Sequence, residues 1–352
     1  MLRSKLVKVV LFLLLLIAVV VILYFGSTFL LPLAFGGLFA MLFYPISQKL
    51  RSWGVPKWGT ISLSVLLFLV ISGGLLTLIT LQGRSLVQDW PKIRNEINQR
   101  IDQAEDYLIK NVGIASQERI NRIEDRLAQQ SSQFQAMLRQ FFGSFFSLLT
   151  GALLALVYMV LFLLEEKRLT HFVLKLAPED EREETRATIR SSREVATQYL
   201  VGRLWLMAIL GVLYSVGFLL FGLQYAIPIA LLVALLSIIP YLGNIIGAFI
   251  AVLVALATGA GPTTILGILG TMAVAQTLES YVLTPWIMGQ EVALNPLVTL
   301  ATVIGFSVMW GVAGTILAIP ITGMVKTVFD HVESLKPYGY LLGLRKADGS
   351  PS

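Results

Sequence analysis

Glu279 stands inside the run TMAVAQTLESYVLTPW (271–286), and no neighbour in that run is built to receive a charge. Between Leu204 and Val325 the chain has no Lys, Arg, His or Asp, and its only other acid is Glu291. A charged side chain at mid-membrane depth costs roughly 2.5–3.5 kcal/mol on insertion scales, so it normally meets a partner or a wet cavity. With no cation in the surrounding apolar stretches, the carboxyl can lower that cost by taking up a proton. A group that gains and loses a proton with exposure is what a proton-coupled carrier needs. Gln276 lies one turn earlier on the same helical face, and Ser280, Tyr281 and Thr284 offer hydroxyls around the turn. Met272 ends the polar stripe one turn further back. The plainer reading is an acid close to a membrane face, or a neutral one hydrogen-bonded to a neighbouring helix.

Helix breakers surround this acid. SIIPYLGNIIG (237–247) contains Pro240, Tyr241, Gly243, Gly247 and its one amide side chain, Asn244. LTPWIMGQEVALNP (283–296) contains Pro285, Gly289, Asn295 and Pro296, and GTILAIPITG (314–323) contains Pro320. Broken helices leave carbonyls and N–H groups inside the membrane, where only protein or a water-filled cavity satisfies them. Carriers bind substrates and ions at such unwound points. Gly243 and Gly247, four apart, also read as a close helix-packing pair.

Composition sets the solvent in which these residues work. Hydrophobic residues make up 56% of the chain and charged ones only 14%, too few to cover a soluble domain of 352 residues. Val9–Phe25 is an unbroken apolar run of seventeen residues. A membrane-crossing helix needs about 20 apolar residues, so the chain reads as an all-α polytopic membrane protein. Arg3, Lys5 and Lys8 precede the first run, which is long for a signal peptide and lacks a small-residue cleavage site, so it reads as an uncleaved first span.

Lys and Arg fall in blocks, and the rule that such blocks stay cytoplasmic orients the spans. Spans one to three fall at about 7–26, 28–47 and 59–82, with Lys49, Arg51 and Lys57 returning inside. Residues 83–140 then lie outside; they carry nine basic and eight acidic residues and are near neutral. Span four, 141–164, returns 165–195 to the cytoplasm. The apolar stretches 226–258 and 297–325 exceed one span and each contains breakers. Whether each crosses or turns back is open, although the loop 287–296, which has no Lys or Arg, leans towards eight crossings. Both alternatives leave the two termini cytoplasmic.

Residues 83–140 keep a helical apolar stripe through Leu86, Trp90, Ile93 and Ile97, and again through Ile120, Ile123 and Leu127, with a turn at 111–116. They read as an amphipathic helical hairpin, either lying at the headgroup layer or serving as a lid or intersubunit contact. In 165–195, Pro178 opens a helix whose first turns are acidic, which suits the helix dipole and reads as a solvated connecting segment. The organisation is therefore spans one to three in 1–82, the hairpin 83–140, span four in 141–164, the connector 165–195, a transport core in 196–330 and a tail in 331–352.

The chain has no cysteine and only His171 and His331, far apart. Thiolate chemistry is excluded and neither a metal nor a cofactor is expected. No Walker lysine motif, G-x-S-x-G or H-E-x-x-H is present, so neither nucleotide-driven pumping nor hydrolysis is expected. The pI near 9.5 reflects cytoplasmic Lys and Arg rather than a nucleic-acid partner.

IIPYLGNIIGAFIAVLVALATG and the later AVAQTLESYVLTPWIMGQEVALNPLVTLATVIGFSVMWGVAGTILAIP closely resemble the bacterial autoinducer-2 exporter family of predicted permeases. Ile239-Pro240-Tyr241 with Gly243, Gln276 with Glu279, Pro285 with Gly289, Pro296-Leu297 and Ala318-Ile319-Pro320 occupy that family's pattern. FAMLFYPISQKL (39–50) and QYLVGR (198–203) are also similar to it. Asn244 stands where many relatives have Pro, and Asn295 where many have His, departures that bear on the substrate. The resemblance implies a multi-pass protein of the bacterial inner membrane that exports a signalling furanone or another small hydrophilic molecule, with proton or sodium coupling. It also implies homo-oligomers, pentamers among them. Glu279, Gln276, Asn244, Tyr241 and Asn295 are the expected cargo- or ion-binding residues. A sodium/proton antiporter or ion channel and a non-transporting membrane scaffold are the competing readings.

Overall fold

The computed structural model describes residues 2–74, 77, 151–239, 242–288 and 294–344. The expected hairpin at 83–140 lies outside them, as do Pro240, Tyr241 and 289–293. Among the described residues the chain is helical and has no strand; one isolated bridge joins Leu294 to Gly343. Helices α1 (Leu2–Phe25) and α2 (Ser27–Ser52) are followed by α3 (Lys57–Gly74) and α4, described over 151–176. Then come α5 (Arg182–Leu220), α6 (Ala226–Leu236), α7 (Leu242–Ala257), α8 (Pro262–Leu278), a π turn (Glu279–Leu283) and α9 (Thr284–Met288). Helices α10 (Pro296–His331) and α11 (Lys336–Leu342) end the described chain. Among the described residues five helical segments are long and apolar enough to cross a membrane: Ser27–Ser52, Lys57–Gly74, Glu179–Leu220, Pro262–Met288 and Pro296–His331. The all-α polytopic architecture is as the composition requires.

Two compact units divide the chain. One comprises Met1–Leu69, Thr150–Gly202 and Met288–Ser352, the other Val70–Leu149 and Arg203–Ile287. In the first, Ala40, Phe43, Ile61, Phe68, Met159 and Leu163 form a core among α2, α3 and α4. Gly36 permits α2 to approach α4, since a Cβ there would lie 2.8 Å from the Ala155 carbonyl oxygen. The segment 165–195 is not a separate helix. α4 and α5 each run on past their apolar parts and meet at Pro178, and exposed pairs such as Arg186–Glu183 at 2.8 Å lace the acidic start of α5.

In the same unit α10 turns back on itself. Gly311 has φ 61° and ψ −143°, a left-handed backbone that breaks the helix into legs of about 22 and 30 Å at 1.5 Å per residue. A Cβ on Gly314 would sit 2.0 Å from the carbonyl oxygen of Phe306, eight residues back, which a straight helix would hold more than a turn away. At the open end α11 ties the legs: Asn295 N–H donates to the Leu342 carbonyl at 2.8 Å, and Gly339 packs on Asp330. At the tip the Trp310 indole donates to the Leu23 carbonyl of α1 at 2.8 Å.

The second unit contains another hairpin. α6 is about 16 Å long and α7 about 24 Å, each short of the ~30 Å hydrocarbon layer. Cβ atoms built on Gly243 and Gly247 would lie 1.9 Å from the Leu236 carbonyl oxygen and 2.7 Å from Val233 Cγ1. The partner residue falls as the glycine number rises, so the helices are antiparallel. The stretches 226–258 and 297–325, which charge alone left open, are therefore both helical hairpins. α5 and α8 also pack antiparallel, since Gly217 meets Thr271 and Gly267 meets Phe221. Tyr214, Phe218, Val233, Ala251 and Ile268 are fully buried between these elements.

The hairpin α6–α7 depends on a missing side chain at its tip. Gly243→Ala must push two backbones apart and lowers stability by roughly 1–3 kcal/mol or more. Gly270→Ala on α8, where a Cβ meets nothing within 4 Å, leaves stability unchanged or raises it by a few tenths. Thermal unfolding of both variants in detergent checks the pair, and equal losses would refute the close approach.

Candidate functional site

Glu279 ends α8 and begins the π turn, and Pro285 explains why the turn widens there. Proline has no N–H and its ring clashes with the carbonyl four residues earlier, so an α-helix cannot continue undisturbed. The chain answers with i+5 pairing, in which Thr284 N–H donates to the Glu279 carbonyl. Single π turns of this kind occur frequently at functional sites. Glu279 keeps the helical backbone of α8, with φ −56° and ψ −51°, and its side chain is 7% exposed, while Tyr281 and Trp286 beyond it are 80% and 79% exposed.

The carboxylate has a cation. Arg203 Nη1 donates to Glu279 Oε1 at 3.2 Å, and both side chains are largely buried. This corrects the expectation of an acid without a cationic neighbour. Arg203 lies one residue before the apolar stretch begins, and the antiparallel packing of α5 on α8 carries it to Glu279. From Arg203 to Leu220 α5 runs seventeen further residues, about 26 Å. Measured from that end, the pair lies near the opposite edge of a ~30 Å apolar layer rather than at its centre.

The hairpin tip supplies the other contact. Asn244, in the first turn of α7, donates through Nδ2 to Glu279 Oε2 at 3.2 Å and to Gln276 Oε1. Gln276 in turn donates through Nε2 to Ser280 Oγ at 3.1 Å. The positive end of the α7 dipole also faces this cluster, which favours a carboxylate there. Of the expected site residues, Glu279, Gln276 and Asn244 come together. Tyr241 lies outside the described residues. Asn295 belongs to the other unit, where its side-chain oxygen caps α10 by accepting from Leu297 N–H at 3.0 Å. Pro296 starts that helix, and Pro320 is buried in its second leg.

The cluster is incompletely satisfied. Arg203 Nε and Asn244 Oδ1 are buried and have no hydrogen-bond partner among the described residues. A buried unpaired polar atom costs about 1–3 kcal/mol, so a donor and an acceptor left over in one cluster mark a place for a small polar molecule or water. Gln276 and Ser280 are exposed and form its open edge. Sequence reasoning did not name Arg203 as part of this site. The signal was available in QYLVGR (198–203), which ends on it.

Breaking a buried ion pair from one side strands the other charge and is worth roughly 3–5 kcal/mol, whereas replacing both charges by apolar groups is often neutral. Arg203→Met alone and Glu279→Leu alone therefore destabilise strongly, and the double variant regains most of the loss. Denaturant or thermal unfolding of the four proteins measures this, and strictly additive losses would mean that the two side chains do not pair.

The family model described as AI-2E family transporter matches residues 13–334. The chain is similar to "Putative transport protein YueF" of Bacillus subtilis, 25% identical over 321 residues that cover 88% of this chain and 86% of that protein. It is also similar to "Putative permease PerM" of Escherichia coli K12, 26% identical over 87% of this chain and 88% of that one. A "Putative transport protein" of Haemophilus influenzae is 27% identical over 86% and 87%. A match spanning nearly the full length, on helical hairpins and a buried polar cluster that the sequence encodes, makes the chain a member of the AI-2E transporter family.

Proposed function

We propose that the protein is a secondary carrier of the bacterial inner membrane, with both termini cytoplasmic, that exports a small hydrophilic molecule past the cluster of Arg203, Asn244, Gln276 and Glu279. The observation that carries this reading is the combination of a buried ion pair with an unpaired donor, Arg203 Nε, and an unpaired acceptor, Asn244 Oδ1. A cargo bearing hydroxyl or carbonyl groups completes both. Asn244 joins the hairpin tip to α8 through two side-chain hydrogen bonds. A cargo that competes for those bonds loosens the tip as it binds, which couples occupancy to movement.

Coupling to a proton or sodium gradient places Glu279 at the centre, since its charge decides whether Arg203 is held. An inorganic cation as the cargo itself is the less favoured reading. Arg203 already neutralises the carboxylate, and a second cation would have to displace it against like-charge repulsion. The furanone-type signal that the family resemblance implies fits a donor–acceptor site better than an ion does.

Efflux from reconstituted vesicles tests the reading. Glu279→Gln slows efflux of the cargo by at least about tenfold, in keeping with the several kcal/mol that stranding the Arg203 charge costs, and flattens its dependence on pH. An unchanged rate with an unchanged pH profile removes Glu279 from transport. Sodium-dependent proton flux in the same vesicles, with no organic cargo present, would favour the antiporter instead.

A further inference from the structure

The turn between α2 and α3 has no part in the cluster at Glu279, and it concentrates charge. The end of α2 is closed by Gly54 N–H to the Arg51 carbonyl at 3.0 Å and Val55 N–H to the Leu50 carbonyl at 3.2 Å, and α3 starts at Lys57 after Pro56. Lys49, Arg51 and Lys57 are thereby held at one end of two apolar helices. None of the three has a carboxylate within 4.0 Å among the described residues. Lys57 Nζ donates to the Leu164 carbonyl at 2.6 Å, and Lys49 Nζ lies 5.7 Å from the Trp53 ring. Residues 1–88 contain no Asp or Glu at all. On α4, Glu166 is engaged by Arg193 at 3.6 Å and Glu165 by Arg168 at 3.7 Å.

Two atoms at this turn are buried and unpaired among the described residues: Arg51 Nε and, one helical turn earlier on the same face of α2, Ser47 Oγ. Arg51 Nε can only donate, and an anionic oxygen satisfies a donor. Around them Trp53 and Trp58 stand 70% and 68% exposed. Tryptophan in such a position sits at the headgroup level of a bilayer. From Trp58 an exposed apolar stripe continues down α3 through Leu66 and Leu69, at the spacing of one helix face.

We propose that the 49–58 turn binds the phosphodiester headgroup of an anionic phospholipid. Arg51 is its principal contact, Lys49 and Lys57 add charge, Trp53 and Trp58 flank the glycerol region, and the acyl chains lie along the α3 stripe. A free phosphate shares the headgroup chemistry, but it does not account for two exposed indoles and an apolar track beside the cations. Each Lys or Arg near a negative membrane surface strengthens association by about fivefold.

The full chain is reconstituted in phosphatidylcholine vesicles doped with brominated phosphatidylglycerol, or with brominated phosphatidylcholine at the same density. Tryptophan quenching then reports which lipid neighbours the turn, and the Trp53→Phe/Trp58→Phe variant identifies the part of the signal that comes from these two rings. The expected result is stronger quenching by the anionic lipid, reduced about fivefold in relative affinity by Arg51→Gln and largely kept by Arg51→Lys. Lys57→Gln, which leaves Arg51 in place, gives an intermediate loss and serves where Arg51→Gln does not fold. Equal quenching by the two lipids in the unmodified protein overturns the proposal. So does an unchanged preference in an Arg51→Gln protein of normal helicity. Loss of the preference on adding millimolar inorganic phosphate, at constant ionic strength, would overturn it in favour of a soluble anion.

Discussion

Two opposite charges held out of water must satisfy one another, and the second unit is arranged around that requirement. Arg203 and Glu279 lie 76 residues apart in the chain and 3.2 Å apart in the fold. Bringing them together takes the antiparallel packing of α5 on α8, which in turn needs Gly217 and Gly267 to be small where Thr271 and Phe221 press on them. The pair contributes little net stability as such, since desolvation offsets most of the Coulomb attraction. Its importance is conditional: any rearrangement that separates the two charges must provide new partners.

The interrupted backbone follows from the same economy of polar groups. Lipid offers no hydrogen bonds, so the tip of a helical hairpin is tolerable only where the chain itself satisfies it. At the tip of α6–α7 the Ser237 hydroxyl donates to the Ala234 carbonyl at 2.7 Å, and Ile238 and Ile239 N–H groups donate to Leu235 and Leu236. Asn244 then adds side-chain bonds to α8. The tip of α10 uses a left-handed glycine and a tryptophan indole on the α1 carbonyl of Leu23. Both hairpins place a backbone where a methyl group would not fit, which makes their closed forms specific and sensitive to one added carbon.

The solvent, the helical class and the oddity of Glu279 as a buried acid were legible in the residues, because each rests on composition or on one conspicuous exception to it. Gln276 and Asn244 were also legible as polar residues beside breakers. Arg203 was not, because membership of a stretch was read from the linear chain, and the apolar stretch starts one residue after it. A packed neighbour is a tertiary fact. For the same reason the hairpins were only half visible: Pro240, Gly243 and Gly311 announce interruption, whereas the break expected at Pro320 does not occur because it lies within the helical second leg of α10, and a kinked crossing and a return differ only in which carbonyl lies opposite which glycine. Asn295 illustrates the opposite case. Its amide sits beside Pro296 for a local duty, capping α10, as Asn before a helix-starting proline commonly does.

The second unit depends on the charge pair at the hairpin tip, and exchanging the charges tests that dependence most directly. Arg203→Glu places two carboxylates together and Glu279→Arg two guanidinium groups, so each single exchange is predicted to unfold the second unit or stop transport. The combined exchange is predicted to recover folding and a measurable part of transport. Full stability and transport in either single exchange would contradict the account, because the two side chains would then not depend on one another.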